Sequence, residues 1–167
     1  YLNAFKHKVD QDDSKVFRFP MPIGNYFDCE VEGNCGIISE KGYLGVEDFP
    51  SSFYWPDRTQ AQLLWFNTGF VEYRFPTHLL RSGQIQEVSF SFEICSEAPG
   101  YQNDWPSDIS VWINGREIVT MTLPGDFGGR RGRLNPDWWS DYSTQFGNMK
   151  TLRITQDGVF LDETRTD

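Results

Sequence analysis

The stretch EVSFSFEIC (residues 87–95) decides the fold. Val88, Phe90, Phe92 and Ile94 alternate with Ser89, Ser91, Glu93 and Cys95. A period of two puts the apolar four on one face of a strand and the others on the opposite face, whereas a helix would scatter both sets. All four apolar residues are expected in the core. Downstream, DISVWINGREIVTM (108–121) reads as a hairpin, because Asn114-Gly115 is the favoured pair for a type I′ turn. MKTLRITQDGVFLD (149–162) reads as a second hairpin turning at Asp157-Gly158. Upstream, GFVEYRF (69–75) alternates, with Val71, Tyr73 and Phe75 against Glu72 and Arg74. AQLLWF (61–66) is apolar on both faces, and NYFDCEV (25–31) and CGIIS (35–39) read as two further strands parted by Glu32-Gly33-Asn34.

Composition agrees. Aromatic residues make up 16% of the 167, with 15 glycines and 9 prolines, a balance that favours strands and turns over helices. Roughly eight or nine short strands without an interior helix predict an all-β chain, a β-sandwich of jelly-roll type with long functional loops. Residues 16–167 are expected to form this domain and residues 1–15 a linker and helix remnant. In that remnant, Leu2, Phe5 and Val9 share a helical face. The first residue is Tyr1, from which a fragment or processed chain is expected. DQDDSK (10–15) lacks the glycine and distal glutamate of a calcium loop and reads as solvated.

The formal net charge of −9 opposes phosphate contact, so the chain by itself is a poor nucleic-acid or anionic-membrane binder. No apolar run approaches the roughly 20 residues of a membrane span, and a cytoplasmic setting is expected. Cys29 and Cys35 fall outside zinc-ligand spacing, and an odd count of three cysteines leans toward a reducing compartment. They read as small buried apolar groups, and no metal or cofactor is expected.

Two long loops carry the chemistry-bearing residues. PGDFGGRRGRLNPDWW (124–139) holds four glycines, three arginines and a Trp pair. Arg130 and Arg131 offer planar donors, Asp126 an acceptor and Trp138 a stacking surface. The competing reading is a structural loop pinned by an Asp126–Arg131 pair, with one indole closing the core. The DFG and GGRRG letters match kinase and P-loop motifs by accident, since the rest of each motif is missing. CSEAPGYQNDWPSD (95–108) adds Asp104, Trp105 and Asp108, an acid and aromatic set suited to sugar hydroxyls and a sugar's apolar face, against the alternative of a solvated loop with one buried Trp. The expected ligand-binding residues are therefore Asp104, Trp105, Asp108, Asp126, Arg130, Arg131 and Trp138. No catalytic residue is assigned. His7 and His78 sit in no nucleophile motif, and Glu72 and Glu93 make a glycosidase pair only if their strands are neighbours.

IGNYFDCEVEGNCG, TQAQLLWFNTGFVEYRFP, FEICSEAPGYQNDWPSDISVWING and PGDFGGRRGRLNPDWWSDYSTQFGNMKTLRITQDGVF together resemble the C-terminal half of bacterial ArsR-like winged-helix transcriptional regulators, over residues 23–162. The resemblance implies an effector-binding module whose DNA-binding winged helix lies upstream, with YLNAFKHKV (1–9) as the exit helix. DNA would be met only through that absent domain. A small polar ligand, such as a carbohydrate, would shift the domain or a homodimer between states of different DNA affinity. A free-standing carbohydrate-binding module and a jelly-roll glycosidase are the alternatives. The metal-sensing motifs of that group lie in the winged helix and are not carried over.

Overall fold

The computed structural model describes residues 16–77 and 85–166. The helix expected over 1–9, the 10–15 linker and His78 lie outside the described residues. Nine strands occur among the described residues: β1 (Asp28–Ser39), β2 (Gly42–Tyr43), β3 (Leu63–Glu72), β4 (Glu87–Ile94), β5 (Ser107–Ile113), β6 (Arg116–Leu123), β7 (Asn148–Thr155), β8 (Gly158–Leu161) and β9 (Thr164–Arg165). They pair antiparallel in three sheets, ordered β2-β1-β3, β4-β7-β8-β9 and β5-β6. The all-β sandwich expectation holds. The helical elements among the described residues are two short 3-10 turns, Pro50–Tyr54 and Pro56–Gln60. Each has its proline in the first turn, where a missing N–H costs nothing.

Two apolar clusters build the interior. The first lies under the β1–β3 sheet, where Cys29, Val31, Cys35 and Ile37 meet Tyr26, Leu44 and the fully buried Phe53. The second lies between β4–β7–β8 and β5–β6, where Leu152, Leu123, Met121 and Val119 are buried against Phe90, Phe92 and Ile94. The alternation in β4 thus faces the core as expected. Its apolar residues are half-buried rather than buried, because β4 is an edge strand opposed by a sheet of only two strands.

Three local expectations need correction. The two strands expected over 25–39 form one twelve-residue strand. Gly33, at φ +76°, carries a bulge between Glu32 and Cys35 that absorbs the extra residues and keeps the pairing with β3. Likewise AQLLWF and GFVEYRF share β3, and Gly69 bridges them because a Cβ there would sit 1.9 Å from the Glu30 carbonyl oxygen. The second hairpin turns at Gln156-Asp157, since Thr155 pairs with Gly158. The Asn114-Gly115 turn is as expected, with φ of +51° and +78°.

Candidate functional site

The two long loops meet. Asp126 N–H donates to the Gln102 carbonyl at 2.8 Å, Trp105 N–H to Pro124 at 2.9 Å and Ser96 N–H to Gly125 at 3.1 Å. The glycines serve this contact. A Cβ on Gly125 would lie 2.3 Å from the Asn103 carbonyl oxygen, and one on Gly128 would lie 2.3 Å from the Tyr101 ring.

The seven expected ligand residues do not converge. Asp126 is fully buried. Its Oδ2 accepts from Ala98 N–H at 3.2 Å and Thr144 Oγ1 at 3.0 Å, and its Oδ1 from the Cys95 thiol at 3.9 Å. Arg131 does not pair with Asp126. Its guanidinium donates to the carbonyls of Pro136 and Trp139 and to Asp141 at 2.8 Å. The loop is pinned by an Asp–Arg pair of a different composition, because the 131–141 turn folds back on itself and Asp126 turns toward the other loop. Arg130 covers the Phe146 ring at 3.9 Å. Trp138 is 39% exposed and donates Nε1–H to the Ser39 carbonyl at 3.1 Å, while Trp139 is 7% exposed and packs on Trp65. Trp139 is therefore the indole that closes the interior. Asp108 accepts from Thr122 on the outer face of β5–β6 at 2.6 Å, and Asp104 and Trp105 are exposed. Glu72 and Glu93 lie in different sheets, so the glycosidase pair is not formed. Glu72 contacts Arg74, and Glu93 accepts from Gly147 N–H.

The Arg131 geometry gives a first prediction. Arg131→Ala strands two carbonyls in the 131–141 turn and should lower stability by about 1–3 kcal/mol in thermal melts. Arg131→Lys should recover little, because a point ammonium cannot span both carbonyls and the carboxylate.

Burial sets the electrostatics where the loops join. It raises the Asp126 carboxyl to about 6, against the pull of its three donors. Glu97 rises to about 7, first through burial and then through the charges of Asp126, Asp48 and Glu47. The Cys95 thiol is pushed up to about 12 by burial, then by Asp126 and Glu97, and stays protonated. Among the described residues no three His, Cys, Asp or Glu side chains form a metal-sized cluster.

A cavity of about 300 Å³ opens elsewhere, on the segment between β2 and β3, lined by Gly45, Val46, Phe49, Ser51, Ser52 and Trp55. None of the seven expected residues lines it. Its shape follows from local bonding. Ser52 Oγ donates to the Val46 carbonyl at 2.7 Å and accepts from Val46 N–H at 2.8 Å, cinching residues 46–52 into a loop. Gly45 holds φ +83°, and a Cβ there would fall 2.4 Å from that same Oγ. Asp48 latches the loop to β1, accepting at Oδ1 from Cys35 N–H at 3.1 Å and donating its own N–H to the Cys35 carbonyl at 2.8 Å. Phe53 is buried in the β1–β3 core, while Val46, Phe49 and Trp55 stay 60%, 58% and 48% exposed. The run GVEDFPSSFYWPD (45–57) held a usable signal, since it places five large apolar residues between charges and prolines with no core-facing period. No protein-family model, curated protein or solved structure matches this chain.

Proposed function

We propose that the chain is a ligand-recognition domain that works without catalysis, with the Gly45–Trp55 cavity as its binding site and a small polar molecule with an apolar face as its ligand. The carrying observation is that three large apolar side chains, Val46, Phe49 and Trp55, line a cavity and stay exposed around it, at the low end of ligand-pocket sizes. The resemblance to ArsR-like regulators supports a sensory role, in which ligand binding biases an upstream winged helix inside the bacterial cytoplasm. That role requires the ligand to favour one state of the regulator over the other.

A carbohydrate-binding module is the second reading. It draws on the outer face of β5–β6, where Trp112 is exposed beside a hydroxyl and acid row. Ser110 and Thr120 hydrogen-bond across the strands, and Thr122 donates to Asp108.

Calorimetric titration of mono- and oligosaccharides and small polar metabolites tests both. Trp55→Ala should remove binding and leave the melting temperature within about 2 °C, since surface changes of this kind cost roughly 0.5 kcal/mol or less. Loss with Trp112→Ala instead would transfer the site to the sheet face.

A further inference from the structure

We infer that the ligand of the Gly45–Trp55 cavity is a small organic cation, an alkylated ammonium seated against Trp55 and Phe49. This deepens the proposed function and rests on it. The lining is poor in hydrogen-bonding side chains. Ser52 Oγ is engaged as both donor and acceptor by Val46, which leaves Ser51 as the other hydroxyl. A neutral polyol would leave several hydroxyls dehydrated without partners, which is costly. A methylated ammonium presents apolar methyl groups and a diffuse charge, which aromatic faces attract directly.

The chain that flanks the lining residues carries the complementary sign. Glu47 and Asp48 stand in the chain between the lining residues Val46 and Phe49, and Asp57 follows two residues after Trp55. All three are exposed. Arg58 is the sole basic residue between positions 45 and 60, and it is turned away. Its Nη1 donates to the carbonyls of Gly24 at 2.7 Å and Tyr26 at 2.8 Å, with the guanidinium over the Tyr26 ring. Glu47 and Asp48 also help raise the carboxyl of Glu97, and Glu47 stands against the Tyr43 hydroxyl. A cation would complement these carboxylates, and electrostatic attraction would speed its arrival.

The test titrates the full 167-residue chain with choline, tetramethylammonium and 3,3-dimethylbutan-1-ol, the uncharged isostere of choline, following tryptophan fluorescence and heat. Saturable binding of both cations is expected, with the alcohol at least about tenfold weaker. Trp55→Ala should abolish cation binding. Glu47→Gln, which spares the Asp48 latch, should weaken it several-fold, more so at low salt. Equal binding of alcohol and choline, both lost in Trp55→Ala, would overturn the charge inference and keep the cavity as the site. Trp55-dependent binding of sugars with no response to either cation would do the same. Cation binding that Trp55→Ala leaves unchanged would overturn the inference and the cavity reading together.

Discussion

Replacing Asp126 with alanine should cost about 3 kcal/mol, because beside the weak Cys95 thiol it strands the Ala98 N–H and the Thr144 hydroxyl at the junction of the long loops, each worth roughly 1–3 kcal/mol when buried and unpaired. For a chain of this length that is a fall of roughly 6–12 °C in melting temperature. Asp126→Asn should behave in the opposite way at neutral pH. Its amide oxygen can take the Ala98 N–H and Thr144 hydroxyl, both of which meet the same carboxylate oxygen in the native protein, and it carries no charge to desolvate. The pH dependence follows from the sign of the shift. The Asp126 carboxyl titrates at about 6 in the folded chain against an ordinary 3.8, so the folded state holds the extra proton through that window. Stability is then highest below pH 4, falls as the pH rises from about 4 to 6, and is flat for this group above that. Glu97, raised from 4.5 to about 7, extends the decline upward. The native chain should therefore melt higher at pH 5 than at pH 7.5. Asp126→Asn should have a shallower slope and match or exceed the native stability at pH 7.5, by up to roughly 3 kcal/mol. Parallel slopes for the two proteins, or an alanine variant within about 0.5 kcal/mol of native, would show that the carboxyl is not the junction's anchor.

What the sequence made legible was whatever depends on neighbours in the chain. The alternation of β4 and the Asn114-Gly115 turn are set by local sterics and appear where they were expected. The glycines of the 124–139 loop are sites of close approach. What approaches is the chain's own backbone, and a glycine carries no information about whether its neighbour is a ligand or another loop. Charge is ambiguous in the same way. Asp126 and Arg131 are five residues apart with opposite signs, yet each finds its partner elsewhere. Trp138 and Trp139 are adjacent, and their division into half-exposed and buried follows from the packing of Trp139 on Trp65, a contact across 74 positions (139 − 65). The cavity at 45–55 escaped because an aperiodic aromatic run says that its side chains share no core face, not that they line one cavity. They are exposed by the cinch at Ser52 and the two prolines, and a hydroxyl that bonds both polar groups of one residue leaves no trace in composition.

The second large effect is expected at Gly132. Its φ is not in the left-handed region, so alanine is permitted by the backbone alone. Space forbids it, because a Cβ at Gly132 would sit 1.8 Å from the Gln145 carbonyl oxygen. That oxygen cannot yield alone. Gln145 N–H donates to Phe127, its Nε2 donates to Ser140 at 2.7 Å and Ser143 at 2.8 Å, and its Oε1 accepts from Gly132 N–H at 3.1 Å. Gln145 is itself buried, so a shift breaks several bonds where water cannot replace them. Gly132→Ala should cost more than about 3 kcal/mol, and Gly132→Val should prevent folding at 37 °C. Gly129 provides the control. It does have a positive φ, +82°, but a Cβ there would meet only the Tyr101 hydroxyl, at an ordinary 3.6 Å. Gly129→Ala should therefore cost about 1–2 kcal/mol, the penalty of a left-handed residue alone. Thermal melts with near-ultraviolet circular dichroism of Trp138 and Trp139 separate the two. If Gly132→Ala melts within a few degrees of native with its aromatic signal intact, the 124–139 loop is not a rigid scaffold, and a ligand role for its arginines regains its force. If it unfolds while Gly129→Ala keeps both fold and ligand affinity, the glycine-rich loop exists to let two pieces of backbone touch.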